Sequence, residues 1–243
     1  MLFFKKGRKS ENAPYKGPYC ACIVAAAGSS SRMGGTDKLM AELGGQSVLL
    51  RTLRALSDSP CIQELLVITR EELLAPVAQL CHDAELTKVS QVLLGGASRL
   101  ESVYKGVCQV SPKAKLIAVH DGARPLVSQA VIAAAVAGAR RYPAAAPAVE
   151  VKDTVKEVKD GLVTATPDRA SLRAIQTPQV FDADLLRAAL QRAMDEHWEL
   201  TDDCAAVERM GATVCLTQGD ERNIKITTPV DLAVAQALLD QEG

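Results

Sequence analysis

Short apolar runs recur between stretches of helical spacing, and this alternation constrains the fold more than any other feature of the chain. CACIVAAA (20–27) reads as a buried strand, and LLVIT (65–69), KVSQVLL (88–94) and LIAVH (116–120) as the strands that follow. Between them Val48–Leu56, with Leu49, Leu50, Leu53 and Leu56, has the spacing of a core-facing helix, and 71–82 reads as another. Ser128 can cap an Ala-rich helix running to about Arg140, after which Ala144–Val149 returns to strand. Strands that alternate with helices need crossover connections, which give a mostly parallel sheet covered on both faces. The expected fold class is therefore α/β and doubly wound.

One stretch breaks the pattern. VKDTVKEVKDGLVTATPDR (151–169) is charged and β-branched, with Asp160-Gly161 at its centre. Both residues tolerate the positive φ of a type I′ turn, so the stretch predicts a β-hairpin arm. A two-stranded ribbon is marginal alone, which leaves an exposed edge hairpin or an arm docked on a second subunit. Beyond it, Leu185, Leu186, Ala189, Leu190, Ala193 and Met194 mark a helix face, and 202–210 predicts another helix before a strand at 213–217. Thr228-Pro229 opens a last helix, with Asp231 in its first turn. No internal repeat or long linker appears, so 20–243 reads as one domain carrying the arm, preceded by a flexible basic tail over 1–19.

Composition closes off several functions. With aromatics at 3% of 243 residues, the core must be built from Ala, Val, Leu and Ile. A net charge of -1 argues against a general nucleic-acid binder, and no apolar run approaches the roughly 18–20 residues that span a bilayer. Seven cysteines without a Cys-x-x-Cys, beside three histidines, argue against a disulfide framework or zinc site. Reduced thiols and a first 20 residues lacking a secretory apolar stretch predict a cytoplasmic protein.

Ligands of open parallel sheets bind beyond the carboxyl ends of the strands, and four polar segments fall there. Ala25–Lys38 supplies small residues and glycines that turn backbone N–H groups towards an anion, with Arg32 and Lys38 adding two cations. It is neither a Walker A loop nor G-x-G-x-x-G, so a phosphate site is expected here without a motif name. Gly95-Gly96 followed by Ser102 can admit a base or ribose close to the backbone, although Gly-Gly is often only a turn. His120-Asp121-Gly122-Ala123-Arg124-Pro125 ends an apolar strand; an acid there suits hydrated magnesium or a substrate hydroxyl, and Arg124 an anion. His120, with no nucleophile beside it, reads as structural. Arg169, Arg173 and Arg222-Asn223-Ile224-Lys225 form a later basic group in which Lys225 either serves the site or points to solvent. Many cations, one or two placed acids and no catalytic dyad suit a reaction whose nucleophile is already ionised, such as phosphoryl or nucleotidyl transfer.

Ala-Ala-Gly-x-x-x-Arg-Met after the first strand resembles the triphosphate loop of sugar-phosphate nucleotidyltransferases. Together with residues 119–125, Asp153-Thr154, Thr177-Pro178-Gln179 and 223–227, it resembles the 2-C-methyl-D-erythritol 4-phosphate cytidylyltransferase family over about residues 20–240. The resemblance implies a Rossmann-like nucleotidyltransferase fold acting on CTP and methylerythritol phosphate with Mg2+. It places Ala26, Ala27, Gly28, Arg32, Lys38, Gly95, Gly96, Ser102, Gly122 and Lys225 around CTP, and Asp121, Arg124, Thr154, Arg169, Thr177 and Lys225 around the acceptor. Arg32, Lys38, Arg169 and Lys225 would be catalytic, with Asp121 close to the metal. It further implies a homodimer formed through the arm, whose Thr154 and Arg169 would serve a shared site. Asp37-Lys38-Leu39 departs from the family's frequent Pro-Lys-Gln, and Ala97 from a position that is often acidic. Two other readings stay open on these residues: a cytidylyltransferase for ribitol phosphate or another polyol phosphate, and a catalytically silent nucleotide-binding module.

Overall fold

A computed structural model describes residues 15–28 and 37–241 and the backbone of Leu2–Phe3. Arg32, the rest of the loop over 29–36 and most of the basic tail lie outside the described residues.

In chain order the elements are β1 (Leu2–Phe3), β2 (Cys20–Ala26), β3 (Glu42–Leu43), β4 (Gln46–Ser47), α1 (Val48–Ser57), β5 (Glu64–Thr69), α2 (Leu74–Asp83) and β6 (Val89–Leu94). They continue with α3 (Arg99–Gln109), β7 (Leu116–Asp121), α4 (Gln129–Ala139), β8 (Ala144–Glu150), β9 (Glu157–Lys159), β10 (Leu162–Ala165), β11 (Arg173–Ile175) and β12 (Gln179–Asp182). The chain then runs through α5 (Ala183–Asp195), α6 (Asp203–Arg209), β13 (Val214–Gln218) and α7 (Pro229–Asp240). The main sheet has the order β1-β6-β5-β2-β7-β12-β8-β11, with β13 on the other side of β8.

The strands read from apolar runs are the parallel ones. β6, β5, β2 and β7 pair in parallel, as do β8 and β13. On β2, Cys20, Cys22 and Val24 pack into one core while Ala21 and Ile23 pack into the other. A strand covered on both faces has no polar alternation, which is why CACIVAA reads as a continuous apolar run. Burial also pushes the Cys20 and Cys81 thiols up to about 12, and all seven cysteines are free. No helix among the described residues is long and apolar enough to cross a membrane.

Strands β1, β3, β4, β11 and β12 and helix α3 escape the sequence reading, and β11 and β12 bear most on the main sheet. β12 runs antiparallel between β7 and β8, and β11 runs antiparallel along the end of β8. Each is three or four residues long and too short to show a period. The arm forms at the predicted turn, with Asp160 at φ 52° and Gly161 at φ 79°. Among the described residues its strands β9 and β10 pair only with each other, and every one of their residues is exposed.

Candidate active site

The strand order reverses between β2 and β7, since β5 and β6 lie on one side and β12 and β8 on the other. Two crossovers diverge there, opening a crevice at the carboxyl ends of the two strands. Ala25 of β2 faces Asp121 of β7 across the ladder. A cleft of about 360 Å³ opens above them, lined among others by Ala26, Ala27, Gly28, Lys38, Gly96, Ser102, Asp121 and Lys225.

Asp121 is the centre of its charge. Its side chain is 11% exposed, with Lys225 Nζ 2.9 Å and Arg124 Nε 3.5 Å from the same oxygen, Oδ2. Burial alone would raise its pKa. Lys225 first, then Arg99 and Arg124, outweigh that effect and hold the carboxyl below the usual value. Lys225 reaches Asp121 because the segment after Asn223 docks on the 121–125 loop: Ile226 N–H donates to Ala123 C=O at 2.8 Å, and the Ile226 side chain is fully buried. Among the described residues the 223–227 segment joins no sheet, so its backbone does not fix which way Lys225 turns.

Three residues behind the cleft fix this pair. Thr177 Oγ1 accepts from Asp121 N–H at 3.1 Å and lies 3.0 Å from His120 Nδ1. A hydroxyl has one proton to give, so Thr177 donates to Nδ1, and His120 Nε2–H donates to Arg124 C=O at 3.3 Å. Burial lowers the His120 pKa to about 4, so the ring is a neutral strut, as the sequence suggests. Asn223 is fully buried; its Nδ2 donates to Thr177 C=O at 2.9 Å, and its own C=O accepts from Arg124 Nη1 at 2.6 Å. Thr177→Val would strand the Asp121 N–H and the His120 acceptor without a partner. It is expected to cost about 1–3 kcal/mol in urea unfolding at neutral pH, and a variant as stable as the parent would remove Thr177 from this strut.

The wall of the cleft after β6 is shaped by a glycine loop. A Cβ at Gly95 would stand 2.7 Å from Ala27 Cβ and 2.9 Å from Ser102 Oγ, so only glycine lets these two loops approach. Ser102 Oγ accepts from Gly96 N–H at 2.9 Å and donates to Ser98 C=O at 2.8 Å, shaping the loop. The departure at Asp37 has a structural partner: Asp37 pairs with Arg70, which also donates to Gly28 C=O at 3.2 Å. Asp37 Oδ1 accepts from Leu39 N–H at 2.8 Å and so orders the turn that carries Lys38.

The structure thus gathers Ala26, Ala27, Gly28, Lys38, Gly96, Ser102, Asp121 and Lys225 in one cleft. Gly95, Gly122, Arg124 and Thr177 lie outside its lining: Thr177 anchors Asp121, Arg124 and Gly95 brace the loops, and Gly122 N–H donates to Ala25 C=O at 2.9 Å. Thr154 and Arg169 are exposed at the base of the arm, with Arg169 donating to Lys152 C=O at 2.6 Å, and neither lines the cleft. Sequence reasoning assigned no role to Arg99, which lines the cleft and whose guanidinium grips the buried Asp203 through two bonds of 2.9 and 2.7 Å. It likewise missed Arg70, and it named Asn223 within the 222–225 group without giving it a role.

What such a cleft can do is hold a run of phosphates and absorb the charge that builds when one is attacked. On this strand order, that capacity defines a nucleotidyltransferase. Residues 20–241 match the family of 2-C-methyl-D-erythritol 4-phosphate cytidylyltransferases. The proteins of that name from Symbiobacterium thermophilum and Desulforamulus reducens are 42% and 44% identical, each over 91% of this chain and over 93% and 96% of their own lengths. The 4-diphosphocytidyl-2C-methyl-D-erythritol synthase of Anaerococcus prevotii superposes with a TM-score of 0.81 at 30% identity, covering 92% of this chain and 99% of its own. The Thermus thermophilus 2-C-methyl-D-erythritol 4-phosphate cytidylyltransferase does so at 0.75 and 32%, covering 90% and 98%. The chain belongs to this cytidylyltransferase family.

Proposed function

We propose that the protein transfers the cytidylyl group of CTP to 2-C-methyl-D-erythritol 4-phosphate, forming 4-diphosphocytidyl-2-C-methyl-D-erythritol and pyrophosphate for isoprenoid precursor biosynthesis. The observation that carries the reading is the Lys225–Asp121 pair at the switch point, in a chain that matches this family from residue 20 to 241. An acceptor phosphate oxygen attacks the α-phosphorus of CTP, and the bond to the bridging oxygen breaks to release pyrophosphate. The nucleophile is already ionised, so the chain has no general base to supply and works by positioning and charge neutralisation. Lys38 faces the triphosphate, a role the family resemblance also gives Arg32; the 95–98 loop and Ala26–Gly28 frame the nucleoside; Lys225 orients the acceptor phosphate, and Arg124 braces the Asp121 loop beside it.

Magnesium fits this site as a companion of the triphosphate. Among the described residues no three His, Cys, Asp or Glu side chains cluster, but one carboxylate with substrate phosphates is an ordinary magnesium donor set. Lys225 and Arg124 both reach Oδ2 of Asp121, which leaves Oδ1 to face the ion or an acceptor hydroxyl. The ion when bound neutralises triphosphate charge. The free, partly deeply buried thiols support a cytoplasmic setting.

The arm completes a homodimer in this reading. Val158, Leu162 and Val163 are 59–73% exposed in a hairpin that pairs with no other strand among the described residues, and such a ribbon needs a surface. Thr154 and Arg169 at its base then enter the partner's cleft. Arg169→Ala and Lys225→Ala chains, each inactive alone, are expected to regain about a quarter of parental activity when mixed and refolded, because half the dimers are mixed and one site in each is intact. No recovery under proven subunit exchange would refute the shared site. The reaction itself is tested by pyrophosphate release from CTP and magnesium. Release is expected with methylerythritol phosphate and not with ribitol 5-phosphate or without acceptor; release with ribitol phosphate alone would overturn the acceptor assignment.

A further inference from the structure

The corner where β5 ends holds the segments that form the catalytic cleft, although neither Thr69 nor Arg70 is among its lining residues. Thr69 is fully buried; its C=O accepts from Gly95 N–H at 2.8 Å, and its hydroxyl donates to Ala26 C=O at 3.4 Å. Arg70 follows it. Its Nη1 donates to Gly28 C=O at 3.2 Å, and its Nη2 pairs with the Asp37 carboxylate. One guanidinium therefore ties the segment leaving β2 to the segment that leads into Lys38.

This geometry makes Arg70 a holder and not a phosphate ligand. Its charge is met by two acids, Asp37 and Glu72, and the side chains of Arg70 and Asp37 are both largely shielded from solvent. Asp37 divides its carboxylate: Oδ2 takes Arg70, and Oδ1 accepts from Leu39 N–H at 2.8 Å. Leu39 is buried in the core, and its C=O accepts from Leu49 N–H at 2.9 Å. Lys38 thus sits between two anchored neighbours, one held by Arg70 and the other by the core. A proline, frequent in the family where Asp37 stands, would fix the backbone through its ring. An aspartate fixes it only through what its oxygens bind.

We propose that Arg70 is a positioning residue for cytidylyl transfer: by clasping Gly28 and Asp37 it sets where Lys38 meets the triphosphate. The inference rests on the reaction proposed above. Catalysis by placed charges is sensitive to small displacements, and a misplacement of about 1 Å costs about 10² in rate. The acceptor side is held separately, by Thr177 and Asn223. Loss of the clasp should therefore show in the handling of CTP and not in that of the acceptor.

The test compares Arg70→Ala, Arg70→Lys and Glu72→Gln with the parent, well below the unfolding temperature of the least stable. Arg70→Ala is expected to lower kcat/KM for CTP by about 10² and to leave KM for methylerythritol phosphate at the parental value. Arg70→Lys keeps the charge but lacks the fork that reaches both partners, so it should recover only part of the loss. Glu72→Gln removes an exposed partner and should match the parent. Asp37→Asn keeps the bond to Leu39 and loses the charge, so adding it to Arg70→Ala should cost little more. Amide exchange of the nucleotide-free chain gives a readout without turnover: Leu39 N–H should exchange faster in Arg70→Ala, and Gly122 N–H at the parental rate. An Arg70→Ala protein that loses thermal stability but keeps kcat/KM for CTP, or one with unaltered exchange at Leu39, would overturn the proposal. A parent without turnover would overturn the cytidylyl-transfer reading instead, and the Leu39 exchange tells that failure from a failure of the clasp.

Discussion

Lys225→Ala is expected to lower turnover by about 10²–10³ while leaving the affinity for CTP largely intact. In the proposed reaction the lysine head is one of several cations around the triphosphate, and it stands 2.9 Å from Asp121, where that proposal puts the acceptor phosphate. Its loss also moves a titration. The Asp121 carboxyl is pushed up by burial and pulled below its ordinary value by Lys225 more than by Arg99 or Arg124. Without Lys225 the carboxyl takes up its proton at a higher pH, so the acidic limb of the kcat/KM profile should shift upward. The same carboxyl stabilises the parent above its unfolded pKa, and that contribution fades as pH falls through the lowered folded value; in the variant it fades earlier. Lys225→Arg keeps the charge and should keep the acidic limb, while still losing rate through the misplaced head group. Turnover equal to the parent's in Lys225→Ala would take this residue out of the mechanism, and an unmoved acidic limb would take it out of the titration.

How Lys225 comes to face Asp121 shows where the sequence ceases to speak. In a strand, Ile224 and Ile226 would share one face and Lys225 the other, which permits either a solvent-facing or a site-facing lysine. The choice is made by one tertiary bond, Ile226 N–H to Ala123 C=O, between segments a hundred residues apart. Asp121 was readable because an acid at the end of a fully buried strand has no solvation of its own. The parallel strands were readable for the same physical reason, since burial on both faces writes a continuous apolar run. β12 was not: Val180 and Phe181 are its only apolar residues, and its place between β7 and β8 depends on strands already assembled. The arm was legible because Asp160-Gly161 encodes its turn locally, whereas nothing local says what it packs on. Arg99 and Asp203 carried no signal, because an arginine after a glycine turn and an acid opening a helix are both common surface residues.

That unsignalled pair carries the other large effect. Arg99→Ala is expected to cost about 3–5 kcal/mol of stability, because it leaves the Asp203 carboxylate buried and without its cation. For a chain of this size that corresponds to a fall in Tm of roughly 10 °C. The pH dependence separates this cause from simple loss of packing. Burial already holds the Asp203 carboxyl above its ordinary value, with Arg99 the main influence pulling it down. Once Arg99 is gone the folded pKa rises further, so the folded state binds this proton more readily than the unfolded one. The destabilisation should therefore be fullest at pH 8 and diminish towards pH 5 as the carboxyl becomes protonated. Asp203→Asn in the Arg99→Ala background removes the charge and should recover much of the loss at pH 8. Thermal unfolding of the three proteins at both pH values decides the matter. An equal loss at pH 5 and pH 8, unrelieved by Asp203→Asn, would mean that Arg99 acts through the packing of its stem against the cleft wall and not through its charge.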